Sequence, residues 1–431
     1  MSQSKNDAAW EKLFETHRII EEVNNRGVYE ISALNINQQR EARLMTKFDH
    51  YIQLPSLFKA NDLTIQPNSR GTYLIGHFAS YQEIPNKEAL EIEEVPFPAN
   101  IETINPDNIY SESAALLCAY NAGIIARLLE EEISLTVLGR MSTGRFNYFI
   151  DDSRRGTPYE IRVNNSQLEI DSGFEGLKVF ALVEAKNESV NDFLVRQLYY
   201  PYRLWKSKTT KTVIPVFMTY SNDVFSFYVF QFGEERRYNS IELVKQKKYR
   251  IGTSEIELSD IIGTLERVAI VPEPQAIPFP QADSFTRIVD LLTQLYGAIL
   301  LSPDDITTNY AFDFRQTNYY TRAGMYLGLI ERQQNRKQGV TYGLSLRGSN
   351  IMAKKPRAKN LALVECILEH KVFNKTLRLY LNQARRPTVE QVTGIMKAAE
   401  LGLDRDGNTT IRRRAGTVLS WIDWIMKLTR R

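Results

Sequence analysis

The chain has little of what several common chemistries need. Of 431 residues only two are cysteine, Cys118 and Cys366, and only four are histidine. Both cysteines lie in apolar stretches with helical spacing, which predicts reduced core thiols rather than a disulfide. His17, His50, His77 and His370 stand at no spacing that would build a zinc site with one another, with Cys or with Asp. This argues against HNH-type chemistry. No GxxxxGK[ST] loop is present, so a P-loop motor is excluded, and no GxSxG elbow points to a serine hydrolase. No apolar run reaches the ~20 residues of a membrane-spanning helix. The polar opening MSQSKNDAAW has no signal-peptide pattern. A cytoplasmic protein with no membrane attachment is expected.

A chain of this length exceeds one ordinary hydrophobic core, so two to four domains are expected. Two proline-rich stretches, VPFPANIETINPDN at residues 95–108 and VPEPQAIPFPQAD at 271–283, cannot continue a helix or a central strand. They divide the chain into an N-terminal α+β region (1–108), an α/β core (109–270) and two helical modules (271–352 and 353–431). In the first region Arg40, Arg43, Lys47 and Arg70 suit either contact with a phosphate backbone or plain solvation. The formal net charge of +3 hides an asymmetry. Residues 351–431 hold 17 Lys and Arg against 7 Asp and Glu, so the last module is strongly basic and the rest of the chain is acidic. Positive charge gathered in one segment is the footprint of a polyanion binder.

The most informative run is LEIDSGFEGLKVFALVEAK, residues 168–186. Residues 179–183 are continuously apolar, as in a strand buried on both faces. Side chains at i and i+2 of a strand share a face, so Glu184 and Lys186 point one way while Val183 and Ala185 point the other. A hairpin between residues 168–171 and 178–186 would bring Asp171 beside Glu184. Two carboxylates and an ammonium at the end of a buried strand could hold a divalent cation against a phosphodiester. The plainer reading is a solvated turn with a surface ion pair, but a buried strand has little reason to end in two charges.

These residues resemble the PD-(D/E)XK nuclease superfamily, with Asp171, Glu184 and Lys186 matching its Asp, Glu and Lys. Ile170 stands where that superfamily's proline usually stands. Downstream, residues 191–205 read as a helix bearing Gln197-Leu198-Tyr199-Tyr200, similar to the Gln-x-x-Tyr element of some members. Pro201 is expected to kink or end it. A helix over 112–131, a strand over 146–150 and strands over 213–220 and 224–232 complete the order that the resemblance implies: a mixed central sheet flanked by helices. The resemblance implies a Mg²⁺-dependent centre, with Mn²⁺ as substitute, in which Asp171 and Glu184 hold the metal and Lys186 orients or deprotonates the attacking water. Gln197 would support the site, and Glu112 is an added carboxylate, with Glu169 a weaker one.

Residues 284–298 are amphipathic, and Ser302-Pro303-Asp304-Asp305 is a helix-start signature. A helix over 314–330 would expose Arg315, Gln316, Asn318, Tyr319 and Arg322. The stretch 332–347, which includes Arg336 and Lys337, alternates like a β-hairpin. Helices followed by a basic hairpin form the winged-helix order, in which the last helix enters the DNA major groove. Shorter helices are expected over 360–370, 374–382 and 388–400, with Thr388 and Gln391 as a capping box. Thr409, Thr410, Arg412, Arg413 and Arg414 open a final helix where phosphate is favoured, and its Trp421, Ile422, Trp424 and Ile425 anchor it to the core. An ordinary helical bundle with a basic surface is the alternative.

Together the resemblance implies a type II restriction endonuclease of this superfamily: a homodimer acting on double-stranded DNA, with a DNA methyltransferase encoded nearby. Alternatives are a repair, transposon or modified-DNA-directed endonuclease of the same superfamily, or a non-enzymatic winged-helix regulator. One consequence is independent of catalysis. Arg413→Ala should weaken DNA binding and lower the slope of log K against log salt by about one, and an unchanged slope would remove Arg413 from the interface.

Overall fold

The strand Val179–Lys186 is buried at every position after the first, and the central sheet is built around it. In the computed structural model, which describes residues 4–85, 90–252, 255–335, 339–399, 401 and 407–429, it lies inside a seven-stranded mixed sheet. The order across that sheet is Ile92–Val95, Ile241–Ile251, Val224–Phe232, Thr212–Ser221, Val179–Lys186, Gln167–Glu175 and Ser134–Ser142. Val179–Lys186 runs parallel to Thr212–Ser221 and antiparallel to Gln167–Glu175. Parallel neighbours need a crossover, and the helix Arg196–Lys206 supplies it. The chain is therefore an α/β protein with a mixed central sheet.

Both faces of the strand are covered by different layers. Phe180 and Leu182 join Leu198, Tyr199 and Phe217 in one apolar cluster. Ala181, Val183 and Ala185 join Leu116, Ala119, Ile125 and Met218 in another. Small alanines on this second face allow the helix Glu112–Asn121 to lie close. Gly173 pairs with Leu182, and a Cβ there would stand 2.8 Å from the Cβ of Val137 and 3.0 Å from the Phe180 ring. The residue is thus a close-approach position within a strand, and the tight turn falls after it at Gly176.

Helices are divided where the backbone turns left-handed, one of them an expected helix. The single helix over 112–131 is two, Glu112–Asn121 and Ile124–Leu129, separated at Gly123 with φ 72°. In the N-terminal region, Lys5–His17 and Ile19–Arg26 are divided at Arg18 with φ 49°. Residues 192–194 are a short strand paired with Tyr81–Glu83, so the crossover helix begins only at Arg196. Pro201 lies inside that helix rather than ending it. It deprives the Gln197 carbonyl of an i+4 donor, and burial of Tyr199, Tyr200, Tyr202 and Leu204 holds the helix regardless.

The strands Val28–Ser32, Thr64–Pro67 and Thr72–Gly76 form the N-terminal sheet. Ile92–Val95, by contrast, is an edge strand of the central sheet. The first proline-rich stretch therefore follows a strand of the core instead of separating it from the N-terminal module. In the last third the order is helix Phe285–Ala298, strand Leu300–Leu301, helices Pro303–Asn309 and Phe314–Tyr326, then strands Ile330–Asn335 and Gly339–Leu344. Gly328, at φ 68°, ends the third helix earlier than the expected residue 330. Ser302 caps the expected helix start and in addition forms a capping box with Asp305, and Thr388 and Gln391 form the capping box expected of them. The helices from Leu346–Met352 to Gly407–Lys427 share one apolar cluster with this unit, and Trp421 stacks on Phe373 at 4.9 Å and meets Phe285 edge-on at 5.1 Å. Cys118 and Cys366 are free and buried. Among the described residues no helix is long and apolar enough to cross a membrane.

Polar contacts join the C-terminal helices to the core just past Lys186. Asp290 accepts hydrogen bonds from the Ser189 N–H (2.9 Å) and the Ser221 hydroxyl (2.7 Å). Glu188 accepts one from the Ala311 N–H at 2.9 Å. Burial raises the Asp290 carboxyl to about 7 against these hydrogen bonds. Between about pH 4 and 7 the folded chain therefore keeps a proton that the unfolded chain has released. This stabilisation is full below about pH 4 and is lost as pH rises through about 7. Asp290→Asn should reduce the fall in thermal midpoint between pH 5 and pH 8, and equal falls in variant and wild type would contradict the assignment.

Candidate active site

Strand geometry alone puts Glu184 and Lys186 on the face that also carries Phe180 and Leu182, toward the crossover helix. Each is only 8% exposed. The Lys186 Nζ lies 2.7 Å from Glu184 Oε1. Gln197, on the first turn of the crossover helix, donates from Nε2 to the same oxygen at 2.5 Å. Asp171 sits one residue beyond the last paired residue, Ser172, of the adjacent strand, and its Oδ2 accepts the Ala185 N–H at 2.9 Å. The structure thus brings together four of the residues that the sequence singled out. Glu112 opens its helix behind the Ser111 cap and lies within the field of Lys186 and Asp171. Glu169 is instead taken by Arg140 at 3.2 Å on the surface.

One member was not legible in the sequence. Asp49, from the N-terminal module, places Oδ2 3.6 Å from Lys186 Nζ. Its backbone carbonyl accepts the Leu194 N–H, and His50 Nδ1 lies 2.7 Å from the Asp192 carbonyl. The loop bearing Asp49 is therefore pinned to the segment between the central strand and the crossover helix. No spacing rule connects this loop to residue 186, because the contact depends on how two modules dock.

The electrostatics follow from burial and from one cation serving several anions. Burial and the nearby Asp171 push the Glu184 carboxyl well above the usual carboxylate range, against the pull of Lys186. Burial likewise raises Asp171 and Glu112, in both cases opposed by Lys186. Burial also acts on Asp49, but Lys186, Lys47, His50 and Arg196 outweigh it and hold that carboxyl low. Desolvation disfavours the Lys186 ammonium, yet Glu184, Asp49, Glu112 and Asp171 together raise it well above an ordinary lysine. Lys186 is a firmly held cation.

Asp171 and Glu184 offer hard oxygen donors of the kind Mg²⁺ takes. Asp49, Asp171, Glu184 and Glu112 outnumber Lys186, Lys47 and Arg196, the lysines and arginine that act on them, and a divalent ion would offset the burial that pushes Asp171, Glu184 and Glu112 toward their neutral forms. Gln197 Oε1 is buried with no hydrogen-bond partner. These observations fit a metal at this place. Asp171 now faces the Ala185 amide and Glu184 faces Lys186 and Gln197, and among the described residues no three such side chains are gathered at coordinating distance.

The expected nucleic-acid contacts separate into groups. Arg315, Asn318, Tyr319 and Arg322 line a cleft facing the N-terminal module. Gln316 is occupied, completing the capping box with Asp313 and accepting from Arg287 at 3.2 Å. Arg413 is exposed, and Arg412 pairs with Glu390 at 2.9 Å. Arg414 is only 5% exposed and is not presented to a phosphate. Its position, three after Ile411 and four before Val418, places it on the helix's inward stripe. Thr410 is half-buried. Arg336, Lys337 and the Thr409 side chain lie outside the described residues. Arg40, a candidate phosphate contact by sequence, forms a bidentate pair with Asp304 instead.

Three regions match family models described only as domains of unknown function: residues 7–75 (DUF6996), 76–250 (DUF6997) and 287–430 (DUF7226). No curated protein and no solved structure matches the chain.

Removing Lys186 would leave buried carboxylates facing one another, a loss of roughly 3–5 kcal/mol when a buried pair is broken. Lys186→Met should therefore lower stability in denaturant titration, and millimolar Mg²⁺ should recover part of the loss. Wild-type stability in the variant without metal would refute this electrostatic account.

Proposed function

We propose that the protein is a Mg²⁺-dependent endonuclease of the PD-(D/E)XK superfamily that hydrolyses double-stranded DNA at specific sites, as a type II restriction enzyme does. The observation carrying this reading is the joint placement of Asp171, Glu184, Lys186 and Gln197 at the end of one buried strand. A mixed sheet flanked by helices supports the superfamily's core. The helix, strand, helix, helix, hairpin order of residues 285–344 supports a winged helix, and the basic final helix supports a polyanion partner.

Asp171 and Glu184 would hold Mg²⁺, which when bound supplies positive charge to a phosphoryl oxygen. The Ala185 amide fixes the Asp171 carboxylate, and Gln197 fixes that of Glu184 from the side. Lys186 keeps its proton firmly, which suits it to orient the attacking water and to balance charge developing on the phosphate. It suits proton abstraction poorly in this arrangement. Glu112 adds negative charge at the rim of the site. Cutting both strands requires two such centres, so a homodimer is part of the proposal, as is a DNA methyltransferase encoded nearby.

Digestion of plasmid DNA tests the reading. Wild type should cut with Mg²⁺ and, as substitute, with Mn²⁺. Asp171→Ala should be inactive while remaining folded, and Gln197→Ala should be slower by about 10–100-fold, as for groups that orient metal ligands. DNA bound but left intact by wild type with both ions would overturn the enzyme reading and favour a non-enzymatic DNA-binding regulator.

A further inference from the structure

A helix that reads duplex DNA needs its reading face clear, because it must lie in a major groove about 12 Å wide. In the helix Phe314–Tyr326 that face carries Arg315, Asn318, Tyr319 and Arg322, spaced at i, i+3, i+4 and i+7. Across from it stands a second wall. The four residues line a cleft of about 870 Å³ whose opposite side is formed by Lys47, Ile52, Ser56 and Lys59 of the N-terminal module. That wall is tied in place: Arg40 pairs with Asp304 at 2.5 Å, and Gln53 Nε2 donates to the Tyr310 carbonyl at 2.8 Å. Pockets of roughly 300–1,000 Å³ enclose ligands of small-molecule size. This one has room for a nucleotide or two and none for a duplex.

Its chemistry suits a nucleic-acid strand. The acidic residues of the lining are already engaged. Asp304 is paired with Arg40, Asp7 accepts from Ser4 and from the Ser56 amide, and Asp313 caps the helix. Lys47, Arg315 and Arg322 remain exposed. The Arg315 guanidinium covers a face of the Tyr319 ring, 5.4 Å from its centre, and its Nε donates to the Tyr319 hydroxyl at 2.8 Å; a guanidinium plane held on an aromatic ring takes stacked bases irrespective of sequence. The cleft also adjoins the candidate active site. Lys47 lies 3.9 Å from Asp49, and Asp49 lies 3.6 Å from Lys186.

We infer that this cleft binds a single-stranded or extrahelical nucleotide segment of DNA, with Lys47 and Arg322 against its phosphates and the Arg315–Tyr319 pair against a base. The inference rests on the reading of DNA as substrate, and it replaces insertion of this helix into a major groove. Enzymes that handle an unstacked base take it into a pocket, and here the segment would run from the cleft toward Lys186.

The test uses the full chain in EDTA with a labelled single-stranded oligonucleotide, and a duplex carrying 2-aminopurine. Wild type should bind the single strand and brighten the 2-aminopurine. Tyr319→Ala should weaken single-strand binding about tenfold, as loss of one stacked base does, and Tyr319→Phe should restore most of it. Ser56→Trp, at an exposed position on the opposite wall, should block both signals by filling the cleft. It keeps the test decisive if Tyr319→Ala fails to fold. Single-strand binding that both variants leave unchanged, or duplex binding with no change in 2-aminopurine fluorescence, would overturn the inference. Wild type that cuts duplex DNA while the cleft variants bind normally refutes the cleft alone. Cleft-dependent binding without any cutting refutes the nuclease alone.

Discussion

The contact between Glu184 and Lys186 constrains everything around it. Both charges sit at the end of a strand covered on two faces, where neither could stay ionised alone without a large desolvation cost. Their shared face is dictated by strand periodicity, and their burial by the crossover helix on one side and the Asp49 loop on the other. Once they are buried, every further group must answer to them. Gln197 spends a hydrogen bond on Glu184, Asp171 is held by the Ala185 amide, and Asp49 becomes a second counterion for the ammonium. The result has more carboxylates than cations, which is the usual condition for drawing in a divalent ion.

The same strand organises the modules. Past Lys186 the chain is gripped from three directions. Asp290, on the helix Phe285–Ala298, holds residue 189, and Ala311, in the connection after Pro303–Asn309, holds residue 188. Asp49 and His50 of the N-terminal module hold 192 and 194. The strand Tyr81–Glu83 pairs with Asp192–Leu194. The cleft and the Glu184–Lys186 centre are adjacent in this fold, although the residues that form them lie far apart along the chain.

The parts governed by local periodicity were legible in the sequence. The uninterrupted apolar run at 179–183 declared a doubly covered strand, and the Glu-x-Lys spacing declared a shared face. Ser302 and Thr388 marked their helix starts through capping chemistry. What depends on docking was not legible. Asp49 lies in a short loop with no pattern around it, and Asp290 is a carboxylate within the buried stripe of an otherwise amphipathic helix. Arg414 shows the reverse case. It was grouped with its neighbours as a triplet, yet the helical stripe from Ile411 through Val418 already placed it inward. Gly123 broke an expected helix through left-handed backbone, a choice that apolar spacing does not register.

The account stands or falls on whether this centre cuts DNA. Sequencing the ends left after incubating DNA with the wild-type protein and Mg²⁺ addresses that most directly. The account predicts double-strand breaks at a recurring sequence, absent when the metal is chelated. DNA whose ends are unchanged with Mg²⁺ and with Mn²⁺, under conditions where the protein binds it, would contradict the central claim.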